Sequence, residues 1–540
     1  LNSPILLLLS LSLTLSISLC SVASLSLRFV RFNQRRRRMA KERDQNTKDK
    51  NLLISFLWNF SAELKLALMA LLVLCTLATL LPFIPSSFSI SASELRFCIS
   101  RISAVNSTVN TTTTTLDNVV TKQPLTEKDT ELTNGVIKRT FTGYGWAAYN
   151  FVLMNAYRGG VNTFAVIGLS SKPLHVYARP TYRCEWVPLN QSDNRILTDG
   201  TKILTDWGYG RVYTTVVVNC TFPETTVINP RNTGGTLLLH ATTGDTDRNI
   251  TDSIPVLVEA PNTVDLSLYD SNRKAKYDYL YCGSSLYGNL SPQRIREWVA
   301  YHVRFFGERS HFVLHDAGGI SEEVFEVLKP WIELGRVTVH DTREQERFDG
   351  YYHNQFMVVN DCLHRYRYMA KWVFFFDVDE FVYVPAKETI SSVMESLKGY
   401  SQFTIEQMPM SSQLCYGGDG PARTYRKWGF EKLAYRDVKK VPRRDRKYAV
   451  QPRNVFATGV HMSQNLQGKT YHRAEKQIRY FHYHGSISQR REPCRHLYNG
   501  TRIVHDNNPY VLDTTMRDIG LAVKTFEIRT IGDRLLRTRQ

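Results

Sequence analysis

The chain has 540 residues, 43% hydrophobic and 22% charged, the balance of a globular protein with room for two or three domains. Its formal net charge of +18 is unusual for a neutral-surface protein and suits contact with nucleic acid, an anionic membrane or an acidic polymer. Which of these survives depends on the side of a membrane on which the chain lies.

Residues 1 to 27 are apolar and begin with Leu1, which fits a cleaved signal peptide, an extra span or misread upstream sequence. Met39 opens an alternative amino terminus, MAKERDQNTKDK, which is the reading preferred here, and residues 1–65 are set apart as a cytosolic or unassigned amino-terminal segment. Leu66 to Ile84 is a run of 19 residues without a charge, long enough to span hydrocarbon. Arg28, Arg31, Arg35 to Arg38, Lys41, Arg43, Lys48, Lys50 and Lys65 precede it, and Ser/Thr-rich sequence follows. The positive-inside rule makes residues 66–84 a single-pass type II signal anchor, with everything after Pro85 across the membrane. The alternative is a buried core helix.

Seven Asn-x-Ser/Thr triplets follow the anchor, headed by Asn106, Asn110, Asn190, Asn219, Asn249, Asn289 and Asn499, as expected of a lumenal body. Seven of the nine cysteines lie there too, without CxxC spacing, so disulfides are expected rather than a zinc site. The odd count leaves one thiol free or paired with a second copy, so a homodimer is among the partners considered. A lumenal location removes nucleic acid.

Residues 85–135, with Thr111 to Thr115, read as a stem. Residues 136–265 hold short β-branched and aromatic runs between Gly, Pro and Asn, the pattern of an all-β sandwich. Trp146, Tyr177, Trp186, Trp207 and Tyr209 in it could stack on sugar faces, although most aromatics in such folds are core. From residue 270 to 540 the pattern becomes α/β. YDYLYC, HFVLHD and RVTVHD are strands. SPQRIREWVAYHVRFFG is a helix capped by Ser291 with Pro292 in its first turn, and SEEVFEVLKPWIELG has a capping-box start. YYHNQFMVVNDCLHRYRYMA is a third helix, and strands alternating with helices predict a doubly wound, Rossmann-like sheet.

In KWVFFFDVDEFVYVP, residues 371–385, the apolar run Trp372 to Phe376 reads as a strand buried on both faces, with Asp377, Asp379 and Glu380 at its carboxyl end. Carboxylates so close repel one another unless a cation lies between them. Strand carboxyl ends are where α/β sheets bind ligands, and Mg²⁺ or Mn²⁺ takes carboxylates together with ligand phosphates. The alternative is a solvated strand end. A second Asp-x-Asp, Asp245 and Asp247 in TTGDTDRN, reads as a turn. KKVPRRDRK, residues 439–447, is either a solvated loop or a contact for diphosphate or galacturonate.

The element order, the Asp-x-Asp strand and a late His-rich strand resemble GT-A fold glycosyltransferases, and more narrowly glycosyltransferase family 92. GPARTYRKWGFEKLAYRDVKK, QPRNVFATGVHMSQN and RYFHYHGSISQRREPCRH resemble the plant β-1,4-galactan synthases of that family, and the resemblance runs over roughly residues 50 to 510. It implies an inverting transfer of galactose from UDP-galactose, with Mn²⁺ or Mg²⁺, onto β-1,4-galactan side chains of pectic rhamnogalacturonan-I at the Golgi membrane. It also implies that the β domain is a carbohydrate-binding module. Asp377 and Asp379 match the metal and nucleotide-sugar motif, and His482 or His484, on one face of a strand by the two-residue period, is the further ligand. Asp419, between glycines on the acceptor side, is the expected base, with Glu431 and Asp437 in reserve. Cys282, Gly283, Ser284, Asp341, His353, Asn354 and Gln355 are nucleotide-site candidates by position. Two other classes compete: a lumenal galactan-binding protein with a degenerate transferase domain, and a membrane-anchored glycosidase using Asp377, Asp379 or Glu380.

Overall fold

The computed structural model describes residues 129–144, 150–171, 180–189, 194–205, 213–245, 248–270, 272–347, 352–418, 426–439, 446–488 and 493–534. The predicted anchor at 66–84, the stem up to residue 128 and Asp419 lie outside these. Among the described residues no helix is long and apolar enough to cross a membrane.

Two short strands, β1 (Thr130–Glu131) and β2 (Ile137–Lys138), come first, and β2 pairs in parallel with the edge of the large α/β sheet described below. Residues assigned to the stem and to the start of the β domain therefore belong to the other sheet. The β region proper consists of β3 (Thr142–Tyr144), β4 (Phe151–Arg158), β5 (Thr163–Ser171), β6 (Thr181–Pro188), β7 (Ile196–Leu204), β8 (Tyr213–Thr221), β9 (Gly235–Asp245) and β10 (Arg248–Glu259). These eight strands hydrogen-bond in one continuous antiparallel order, β10-β9-β6-β7-β8-β5-β4-β3, rather than as two separate sheets. Asp245 ends β9 and pairs with Arg248 of β10, and Asp247, in the expected turn, lies outside the described residues.

The long sheet curls until β4 meets β10. Arg158 of β4 makes a two-point ion pair with Glu259 of β10 at 2.6 and 2.7 Å, and the Asn150 amide donates to Asp252 at 2.6 Å. Inside the curl Phe164 stacks on Trp186 at 5.7 Å, and a Cys184–Cys220 disulfide ties β6 to β8. Trp186 is 2% exposed and serves the core, so it is not a sugar platform; the other four aromatics considered lie outside the described residues.

The second region runs β11 (Tyr277–Leu286), α1 (Pro292–Phe306), β12 (Ser310–Asp316), α2 (Glu322–Glu333), β13 (Val337–Asp341), α3 (Gln355–Arg365), β14 (Ala370–Phe375), β15 (Glu380–Tyr383), α4 (Ile390–Leu397) and β16 (Gln402–Pro409). It continues with β17 (Leu414–Tyr416), α5 (Gly429–Lys432), β18 (Tyr435–Asp437), β19 (Lys447–Val450), β20 (Val455–Ala457), β21 (Asn465–Leu466), β22 (Thr470–Tyr471), β23 (Arg479–His482) and, near the end, α6 (Thr515–Ile531). The sheet order is β1-β2-β13-β12-β11-β14-β19-β16-β23-β15, parallel from β2 to β14 and mixed beyond.

Helix starts follow the sequence. Ser291 accepts from the Arg294 amide at α1, with Pro292 in the first turn, and Ser321 accepts from the Val324 amide at α2. The third helix is shorter than its pattern predicts. Tyr352, His353 and Asn354 hold φ of 52°, 54° and 58°, so α3 begins only at Gln355. Left-handed backbone costs a non-glycine residue roughly 1–2 kcal/mol, and three in succession stop a right-handed helix.

The apolar run of KWVFFFDVDEFVYVP is β14, as expected, and a second strand, β15, begins at Glu380. The chain turns at residues 376–379, where the Asp377 amide donates to Glu380 Oε2 at 2.7 Å and the Glu380 amide to the Asp377 carbonyl at 3.2 Å. Burial on both faces is as expected: Trp372, Phe374 and Phe376 join one core cluster, and Val373 and Phe375 the other. Each such side chain contributes about 1.5–3 kcal/mol by burial. Disulfides Cys282–Cys362 and Cys415–Cys494 pair four more of the cysteines.

The curled sheet is not free-standing. Its outer face, with Met154, Ile167 and Val217, shares a buried cluster with Met357 of α3. Beside that cluster, Arg139 makes a two-point pair with Asp361 of α3 at 2.5 and 2.7 Å, and Tyr157 of β4 donates to the same carboxylate at 2.7 Å.

Candidate active site

Strand register builds the site. In the parallel β11–β14 pair Tyr281 lies opposite Phe374, so three residues on Ser284 is level with Asp377. In the antiparallel β14–β19 pair Phe375 faces Tyr448, which brings Lys447 to the same end. In the β15–β23 pair Glu380 faces His482, and the Tyr483 amide donates to the Asp379 carbonyl at 3.0 Å. Three strand ends thus converge on the turn that carries Asp377 and Asp379.

The two aspartates have different company. Ligand atoms of Asp379, His482 and His484 lie within 4.8 Å of one another, a set of one carboxylate and two imidazoles that could hold a divalent cation. His482 Nε2 is 3.5 Å from Asp379 Oδ1, and the Gly485 amide donates to Oδ2 at 3.1 Å. Both histidines face the aspartate while Tyr483 between them is 1% exposed, so the two-residue alternation expected of RYFHYHGS holds past the last paired residue, His482. The Gln407 side-chain amide nitrogen donates to His482 Nδ1 and fixes the orientation of the ring. Burial opposes protonation of His482, but the Asp379 hydrogen bond and the charges of Glu380, Asp379 and Asp377 outweigh it and raise its pKa.

Asp377 belongs to another group. Its Oδ1 accepts from Ser284 Oγ at 2.7 Å and its Oδ2 from Lys447 Nζ at 2.6 Å. Lys447 Nζ is also 3.7 Å from Glu380 Oε2. Burial works against the Asp377 anion, yet Lys447 and Ser284 hold its pKa below the ordinary value. At Glu380 burial, with Asp377 and Asp379 nearby, outweighs the opposing charges of Lys447 and His482 and pushes the pKa up to about 8. Asp377, expected to ligate metal alongside Asp379, is not among the side chains whose ligand atoms gather within 4.8 Å; its oxygens accept from Ser284 and Lys447.

The nucleotide-site candidates divide. Cys282 is fully buried and bonded to Cys362, so its side chain is spent on the fold. Gly283 is needed because a Cβ there would collide with the Tyr281 ring, whose hydroxyl donates to the Phe376 carbonyl at 2.9 Å. Ser284 and Gln355 line a crevice together with Asp377 and Lys447. Asp341 pairs with Arg343 and sits level with Asp316 across β12 and β13. The His353 ring stacks on Tyr287 at 3.8 Å, while its carbonyl accepts from Ser285 Oγ at 2.7 Å. Asn354 donates to the Gln345 carbonyl at 2.8 Å, a structural role. Asp419, the expected base, lies outside the described residues.

The reserve base Glu431 is unsuited. It is 3% exposed, accepts from the Trp428 amide at 2.6 Å and pairs with Lys524. Asp437 accepts from the Lys439 amide at 2.7 Å at the end of β18. A carboxylate not foreseen, Glu297 of α1, is 1% exposed, lines a cleft beside Asp379 and accepts from the Gly429 amide at the start of α5 at 2.9 Å. Lys447 was the larger omission. It closes the basic run KKVPRRDRK, and the apolar KYAV that begins with it was the available sign that this base enters a strand.

Comparison with known proteins shows the family. The profile described as Glycosyltransferase family 92 matches residues 277–523, from β11 into α6. Galactan beta-1,4-galactosyltransferase GALS2 of Arabidopsis thaliana is 88% identical over 520 residues, covering 93% of this chain and 100% of that one. GALS3 of the same plant is 77% identical over 503 residues, with 93% and 100% covered. GALS1 is 52% identical over 404 residues, with 73% and 79% covered. The chain belongs to glycosyltransferase family 92, among its galactan β-1,4-galactosyltransferases, and it is an enzyme.

Proposed function

We propose that the protein transfers galactose from UDP-galactose, with inversion, to the growing end of β-1,4-galactan side chains of pectic rhamnogalacturonan-I. The observation that carries this reading is the convergence of Asp377, Asp379, His482 and His484 at one sheet end in a chain so similar to named galactan galactosyltransferases. Asp379, His482 and His484 would hold Mn²⁺ or Mg²⁺, which when bound supplies Lewis-acid neutralisation of a diphosphate leaving group. Ser284, Gln355, Asp377 and Lys447 line the crevice in which the donor would be oriented. Asp419, on the acceptor side in sequence, would take the proton of the attacking hydroxyl. The uncharged run at 66–84, its basic amino-terminal flank and the sequons after it support a type II anchor, with the site in the Golgi lumen.

The test is to incubate the protein with UDP-galactose and a short β-1,4-galactan, with and without Mn²⁺. Lengthened oligosaccharide that depends on Mn²⁺ is the expected product. Shortened oligosaccharide formed without UDP-galactose would mean a glycosidase, and retention on galactan without turnover a binding protein.

A further inference from the structure

Three carboxylates in four positions demand positive charge, and the fold supplies some of it permanently. Lys447 enters from β19 with a side chain only 4% exposed, donates to Asp377 at 2.6 Å and stands 3.7 Å from Glu380. A lysine taken that far out of water is costly unless it is paired. Ser284 holds the other Asp377 oxygen, so the carboxylate plane is fixed at both ends, while its side chain stays 34% exposed towards the crevice. Asp379, two residues further along the turn, forms a separate group with His482 and His484.

We propose that Lys447 is a positioning residue of the donor site: a built-in cation that holds Asp377 towards the crevice and leaves a bound divalent ion to Asp379, His482 and His484. The proposal rests on the metal reading of the preceding subsection. It assigns the two halves of the Asp-x-Asp motif to two different cations, one covalently part of the chain and one exchangeable.

Calorimetry on the full-length protein separates the two, first with Mn²⁺ alone and then with UDP-galactose at saturating Mn²⁺. Lys447→Met should weaken UDP-galactose binding about 10- to 100-fold, as loss of a supporting partner does, and leave Mn²⁺ affinity unchanged. Because Lys447 acts through Asp377, the double variant Lys447→Met/Asp377→Asn should bind the donor no worse than the weaker single variant. Additive losses, or wild-type donor affinity in Lys447→Met, would overturn the proposal. If circular dichroism finds Lys447→Met unfolded, Asp377→Asn decides the matter: it should keep wild-type Mn²⁺ binding where Asp379→Asn loses it, and loss of Mn²⁺ from Asp377→Asn counts against Lys447. A wild-type protein that binds no Mn²⁺ ends the metal reading instead, and the UDP-galactose arm alone then judges Lys447.

Discussion

Asp361 and Asp377 are both carboxylates drawn out of water beside a cation, yet they do opposite things. Asp361 is fully buried, its partner Arg139 is fully buried, and Tyr157 supplies a third donor. Nothing is left over for a ligand. His315 and His340 lie near enough to form a cation-binding group with Asp361, but the Arg139 guanidinium already fills that place, with His340 Nδ1 at 3.2 Å from it. This cluster joins the segment after the stem, the curled sheet and α3 into one body. Asp377 has two protein donors and remains a third exposed, at a crevice rather than between packed elements. A carboxylate saturated by the protein locks; one held but still open keeps a face for a ligand.

The contrast can be tested by breaking each side. Asp379→Asn should abolish transfer while circular dichroism stays native, since it removes charge from the presumed ion site and almost no volume; chelator should reproduce the loss in the wild type and excess Mn²⁺ reverse it. Full activity in chelator would refute the metal. Asp419→Asn should leave UDP-galactose affinity near normal and slow single-turnover transfer roughly 10²- to 10⁴-fold, the usual worth of a positioned base. Transfer at the wild-type rate would put the base elsewhere; Asp437 would be tested before Glu431, whose carboxylate is already engaged.

On the locking side, Asp361→Ala takes the two-point partner from buried Arg139, leaving it Asp129 at 3.0 Å, and should cost about 3–5 kcal/mol in urea unfolding, with little change in turnover per folded molecule. A loss of turnover without a loss of stability would mean that the cluster is functional after all.

Acid probes the same side. Burial depresses the pKa of His302 and His364 to about 3 and of His311 and His315 to about 4, so the folded protein keeps them neutral. In the unfolded chain they titrate near 6.5. The unfolded state therefore binds more protons below that value, and stability is complete above about pH 6.5 and lost as pH falls towards 4. An unfolding midpoint flat across that window would contradict the neutral burial of these rings. The smallest effect expected is from Tyr157→Phe, which removes one hydrogen bond to a charged group and should cost about 1.5–3 kcal/mol. A neutral result would place the strength of the lock in Arg139 alone.

The alternation of strands and helices after residue 270, the caps at Ser291 and Ser321 and the two-sided burial of KWVFFF were legible because they depend on local periodicity and capping chemistry. So was the facing of His482 and His484, which needs only the pleat of a strand. The partners of the aspartates were not. Lys447 lies 70 residues from Asp377 and Arg139 lies 222 from Asp361, and no local pattern records which strands become neighbours. Sequence alone set the inventory of carboxylates, imidazoles and bases. Only the register of β14 against β11 and β19, and of β15 against β23, decided which carboxylate met a lysine and which met two histidines, because pairing between distant strands is chosen by the packing of the whole sheet.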